Sequence, residues 1–88
     1  MPIVSMFYGI IVRIYKENNS KHKSPHLHAE YNGEFVIVDL EGNVLDGGLP
    51  SKKLRMLLTW IDIHQEELVA NWNMLITDGE FFKIDPLK

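Results

Sequence analysis

The sequence predicts an α+β fold: an antiparallel β-meander of about four strands, one long C-terminal helix packed on it, and a short final strand. Three observations predict it. Between Phe7 and Asp46 the β-branched and aromatic residues recur with the period of two that a pleated strand requires. Asn32-Gly33 separates two such runs, and Asn-Gly is the preferred pair for a two-residue type I′ hairpin, in which both positions need φ > 0. Beyond Pro50, Leu54, Leu57, Leu58, Ile61, Leu68, Trp72, Leu75 and Ile76 follow helical spacing.

Taken in order, Phe7 to Lys16 reads as the first strand. Tyr8, Ile10, Val12 and Ile14 would share one face, with Phe7, Ile11, Arg13 and Tyr15 on the other. Glu17 to Ser24 is polar and reads as a loop. Pro25 has no N–H for a ladder and suits the first position of the next strand. The Asn-Gly turn then fixes a register: Tyr31 opposite Glu34, Glu30 opposite Phe35, His28 opposite Ile37 and His26 opposite Asp39. Leu27, Ala29, Tyr31, Val36 and Val38 form a core face. His26, His28, Glu30, Phe35, Ile37 and Asp39 form a mixed one. A two-residue turn at Gly42-Asn43 would pair Asp39 with Asp46 and align His26, Asp39 and Asp46 across three strands. A longer loop would break that row, because one residue of slip flips every side chain.

Gly47-Gly48 ends the meander. Pro50 or Ser51 starts the helix, with Ser51 as N-cap. The periodicity runs to Thr77, about 27 residues and about 40 Å of helix, with a bend expected near His64-Gln65. Gly79 takes the left-handed C-terminal position, and Glu80 to Ile84 reads as the last strand. The expected core is Ile10, Val12, Ile14, Leu27, Ala29, Val36, Val38, Leu54, Leu58, Ile61, Leu68 and Trp72.

The composition narrows the function classes. Eighty-eight residues make a single domain over 1–88, with its ordered core over 5–86. An apolar fraction of 45% supports one real core rather than disorder. The absence of cysteine excludes disulfides and thiolate zinc sites and fits a cytoplasmic setting. No basic n-region and long apolar stretch follow Met1, so no signal peptide is expected, and no run reaches the ~20 apolar residues of a membrane span. Nine basic and twelve acidic residues give a net charge of −3, a poor match to nucleic acid, whose binding rests on neutralising phosphates.

The chemical clue is His22-Lys23-Ser24-Pro25-His26-Leu27-His28-Ala29-Glu30, which holds three of the four histidines. On a strand, His26, His28 and Glu30 share a face. His26 and His28 with the cross-strand Asp39, and His22 swinging in from the loop, make a candidate metal site for zinc or iron of the two-His-one-carboxylate type. Without a metal, His26 oriented by Asp39 is a candidate general base. The plainer alternative is a polar, half-exposed sheet face. On the helix, Met56, Trp60, Ile63 and Met74 lie outside the main stripe. They are either embraced by the fold itself or form an interface for a homodimer or a protein partner.

As a set, several short motifs resemble a family of small bacterial and archaeal proteins catalogued as domain of unknown function 4160. They are Ser5-Met6-Phe7-Tyr8-Gly9-Ile10, the loop from His22 to His28, Tyr31-Asn32-Gly33, Leu49-Pro50, and Trp60 with His64-Gln65-Glu66-Glu67-Leu68 and Asn71-Trp72. That family's loop usually reads His-Asn-Pro-Pro-His-Phe-His. His22, Pro25, His26 and His28 match it, while Lys23, Ser24 and Leu27 depart from it. The resemblance implies no assigned activity. Its members are often encoded beside another small domain, an arrangement similar to toxin–antitoxin operons, which implies a protein partner encoded nearby. Two classes of function are therefore expected: a cytoplasmic protein-interaction module, or a metal- or His/Asp-dependent enzyme built on His22, His26, His28 and Asp39.

Overall fold

The computed structural model describes residues 3–14 and 24–88. His22, with Lys16, Lys21 and Lys23, lies outside the described residues. Five antiparallel strands form one sheet in chain order: β1 (Ile3–Phe7), β2 (Ile10–Arg13), β3 (His26–Tyr31), β4 (Glu34–Asp39) and β5 (Val44–Gly47). Two helices follow, α1 (Ser51–Ile63) and α2 (Gln65–Asp78). The α+β class and the meander match expectation. The described part of the meander has five strands rather than four, and the long helix is two. None of the described helices is long and apolar enough to cross a membrane.

The extra strand arises from a hairpin that the periodicity hides. Tyr8 (φ 50°) and Gly9 (φ 82°) are both left-handed, which makes them a two-residue turn of the primed kind rather than part of a strand from Phe7 to Lys16. Tyr rarely adopts this conformation, so the residue types conceal the turn. Tertiary contacts hold it. Lys53 Nζ donates to the Tyr8 carbonyl at 2.9 Å and lies 4.8 Å over the Tyr31 ring. That ring also lies so close to Gly9 that a Cβ there would sit 3.1 Å from it. Phe7 consequently faces the core and Tyr8 the solvent, the reverse of the expected assignment.

The Asn32-Gly33 hairpin has the expected register, including His26 opposite Asp39. The next turn does not. Its loop is longer than two residues and β4–β5 carries a bulge, so Val38 opposes Val44 and Ile37 opposes Asp46. Asp46 therefore leaves the His26–Asp39 row and joins the row of His28.

The core includes Val4, Phe7, Ile10, Val12, Leu27, Ala29, Val36 and Val38 from the strands, Ile14, Leu40 and Ile84 outside them, and Leu57, Trp60, Ile61, Leu68 and Leu75 from the helices. Leu54, Leu58 and Trp72, expected in the core, are partly buried and pack against it. Ser51 is the first helical residue rather than the cap; Pro50 precedes it without a side-chain cap, and its carbonyl accepts from Leu54. The helices part at His64 (φ −107°, ψ 25°), where the bend was expected, and Gly79 (φ 73°) closes α2 as predicted.

Residues 80–84 form no strand. The segment is instead fixed by side chains. The buried Asn71 amide donates to Phe82 O at 2.8 Å and accepts from Phe82 N at 3.0 Å. Ile84 N donates to Val4 O at 2.8 Å, and Trp60 Nε1 donates to Asp85 O at 2.8 Å. Ile84 itself is buried in the core cluster.

Candidate functional site

Strand registers define what lies on the face of the sheet opposite the core. Directly opposed residues share a face. One row therefore reads Met6, Ile11, Glu30 and Phe35, and the next reads Arg13, His28, Ile37 and Asp46. Met6 is 59% exposed and Phe35 62% exposed. Ile11 and Ile37 are half-buried beside them. Between the two apolar pairs, Arg13 Nη1 donates to Glu30 Oε1 at 3.2 Å. Exposed apolar side chains thus flank an ion pair on this face, and contiguous exposed apolar residues of this kind mark interaction surfaces.

The histidines sit where the sheet meets α2. His26 is 1% exposed. Its ring lies 5.4 Å from that of Trp72 and 5.4 Å from that of His28. The Ser24 carbonyl, 2.8 Å from His26 Nδ1, can only accept, so Nδ1 carries the hydrogen. In the neutral ring the lone pair is then on Nε2. Beside this cluster a cleft of about 250 Å³ opens between α2 and the strand ends, lined by Pro25, Asp39, Leu40, Gln65, Val69 and Trp72. The histidine loop and the Gln65 to Trp72 stretch, far apart in sequence, meet at it.

Asp39 stands opposite His26 in register, but its carboxylate turns to its own loop. Oδ1 accepts from the N–H groups of Glu41 and Asn43 at 2.9 Å each, and Oδ2 accepts from Asn43 Nδ2 at 3.0 Å. The expected His26–Asp39 dyad is thus adjacent in register while Asp39 serves the turn. Among the described residues no three His, Asp or Glu side chains converge to hold a metal ion. His22 lies outside them.

The same bonds set the protonation of Asp39. Partial desolvation pushes its carboxyl up, but the N–H groups of Asn43, Glu41 and Gly42 and the Asn43 amide outweigh it and hold the group below its ordinary value. The ionised form is the one the fold favours. Its contribution is full at neutral pH and is lost as the pH falls through the folded-state value. Asp39→Asn is expected to unfold at a lower temperature than wild type at neutral pH, with the gap closing in acid. A gap independent of pH would show that the turn does not depend on this charge.

The expected helix interface divides. Trp60 is fully buried, with its ring 5.3 Å from that of Phe7 and 5.5 Å from that of His64. It belongs to the fold and not to a partner surface. Met56 packs against the core, Met74 is partly buried, and Ile63 alone of the four is exposed. The sequence places Phe35 on the mixed strand face with five other residues and leaves Met6 outside every predicted strand; Gly9, as a turn glycine, is the signal that extends the sheet to Met6.

Comparison with protein families gives one match, Domain of unknown function (DUF4160), over residues 9–73. The chain is a member of the DUF4160 family. The same comparisons found no matching curated protein and no matching solved structure. The DUF4160 match runs from the Tyr8-Gly9 turn into α2 and takes in the cleft residues. It leaves out β1 and residues 74–88, yet these two parts bond to each other through Ile84 N and Val4 O and complete the DUF4160 core.

Proposed function

We propose that this DUF4160 chain is a cytoplasmic protein-interaction module whose non-core sheet face docks a protein encoded beside it, as one half of a toxin–antitoxin-like pair. The observation that supports this reading is the outward Met6 and Phe35, with Ile11 and Ile37 behind them, around Arg13–Glu30. A large exposed aromatic on such a face is the kind of residue that dominates binding energy. Phe35 is exposed, so Phe35→Glu should leave folding intact. It is expected to weaken binding to the product of the adjoining gene by about 30-fold or more, the equivalent of a hot-spot loss of about 2 kcal/mol. Unchanged affinity in calorimetry would remove this face from the reading. Dimerisation of the wild type that Phe35→Glu abolishes would make the partner a second copy.

A second reading, metal binding, is favoured by one specific observation. The Ser24 carbonyl holds His26 Nδ1–H, as outer partners of metal-bound histidines do, and His28 is its ring neighbour. In this reading Nε2 of His26 and the His28 ring bind zinc or iron with His22. Untagged protein is then expected to take up zinc stoichiometrically, and His26→Ala to lose it. Equal metal content in both proteins would end the metal reading.

A further inference from the structure

The contacts that hold residues 82–85 are almost all made to their backbone. Asn71 offers both ends of its amide to the N–H and the carbonyl of Phe82, as a residue of a neighbouring strand would. The bulge in β1 falls between Ile3 and Ser5, at Val4, whose carbonyl accepts from Ile84 N. The Trp60 indole reaches Asp85 O. Only one side chain is deeply held, Ile84, whereas Phe81 and Phe82 remain 40% and 36% exposed. A groove that bonds peptide groups and seats one aliphatic side chain recognises an extended segment, whichever molecule supplies it. The segment follows Gly79, a single left-handed residue whose N–H bonds to Leu75 O.

We propose that this groove is a peptide site that the chain fills with its own residues 80–88, and that a second copy can fill it by exchanging the same segment. The exchanged dimer repeats every contact of the closed monomer across the two molecules, and only the conformation at Gly79 differs, which is why such exchange costs little. The surface involved is separate from the sheet face proposed above, so the two proposals fail independently.

The test mixes isotope-labelled and unlabelled full-length protein at high concentration, warms the mixture toward its unfolding midpoint and cools it. Isotope-filtered NMR then looks for contacts between the Trp60 indole N–H of one copy and Ile84–Asp85 of another. Gly79→Pro is the companion variant, because proline cannot reach the positive φ of the closed hinge. The expected results are intermolecular Trp60–Asp85 contacts in the wild-type dimer and a dimer fraction raised about tenfold or more by Gly79→Pro. Phe35→Glu should leave the exchange unchanged, and Asn71→Ala, which weakens the closed and exchanged forms alike, should speed the exchange without changing the dimer fraction at equilibrium. A protein that stays monomeric throughout, or a dimer whose Trp60–Asp85 contacts are all within one chain, would overturn the proposal. The wild-type measurement decides the matter even if Gly79→Pro does not fold.

Discussion

Trp60→Ala is expected to bring this protein to the edge of unfolding. The side chain is fully buried, its ring neighbours Phe7, and its indole N–H bonds to Asp85 O. Removing a buried Trp of this kind costs about 3–5 kcal/mol through lost transfer energy and the cavity left behind. A domain of this size has only about 5–15 kcal/mol in all. For 60–100 residues, 1 kcal/mol moves the midpoint by about 4–8 °C, so thermal unfolding should shift down by about 12 °C or more. Trp60→Phe keeps most of the volume and loses the hydrogen bond, and should cost much less. The outcome also separates two roles for this residue. A Trp60 that served a partner would leave the midpoint in place when truncated and abolish binding instead.

Asn71→Ala is the second large effect. Asn71 is fully buried on α2, and both polar atoms of its amide are bonded to Phe82. Alanine removes a donor and an acceptor together and leaves the Phe82 N–H and carbonyl without those partners. Each buried orphan costs about 1–3 kcal/mol. The partial exposure of Phe82 lets water recover some of this, so a total of about 2–3 kcal/mol is expected from urea unfolding. Asn43→Ala provides the control. Asn43 also donates from its amide, to Asp39, but at an exposed site, and its loss should be well under half as large. Equal losses at the two positions would mean that residues 80–88 add little to the fold. Hydrogen exchange should report the same difference locally, with the Phe82 and Ile84 amides losing protection in Asn71→Ala before the β3–β4 amides do.

The legible parts of this fold are those governed by local chemistry. Asn32-Gly33 names its own turn, and the four-pair register that follows from it is the one observed. Gly79 ends its helix for the same reason. The misread parts depend on partners distant in sequence. Tyr8 is left-handed where Lys53 and Tyr31 hold the turn, and the one local signal is Gly9 beside it. Trp60 falls outside the helical stripe, and is buried because residues 84–85 return to cover it. The displacement of Asp46 depends on a longer loop and one bulge, which together move its partner by two residues, from Asp39 to Ile37, and so keep it on the same face.

The candidate site was legible in the same uneven way. His26, His28, Phe35 and Ile37 were correctly ordered along their strands, because alternation and the hairpin register suffice for that. The cleft between α2 and the strand ends was not legible, because it joins Pro25 and Leu40 to Gln65 and Trp72. Nor was the Asp39 carboxylate. Its cross-strand position suggested His26 as partner, while Glu41 and Asn43 are nearer along the chain and supply N–H groups that a carboxylate readily accepts.

Docking of a partner on the non-core sheet face can be read residue by residue by NMR perturbation mapping with the product of the adjoining gene. The affected residues are expected to be Met6, Ile11, Arg13, Glu30, Phe35 and Ile37, with α1 and α2 little changed. Perturbations centred on Ile63 or on the Trp72 cleft, or none at saturating partner, would contradict it.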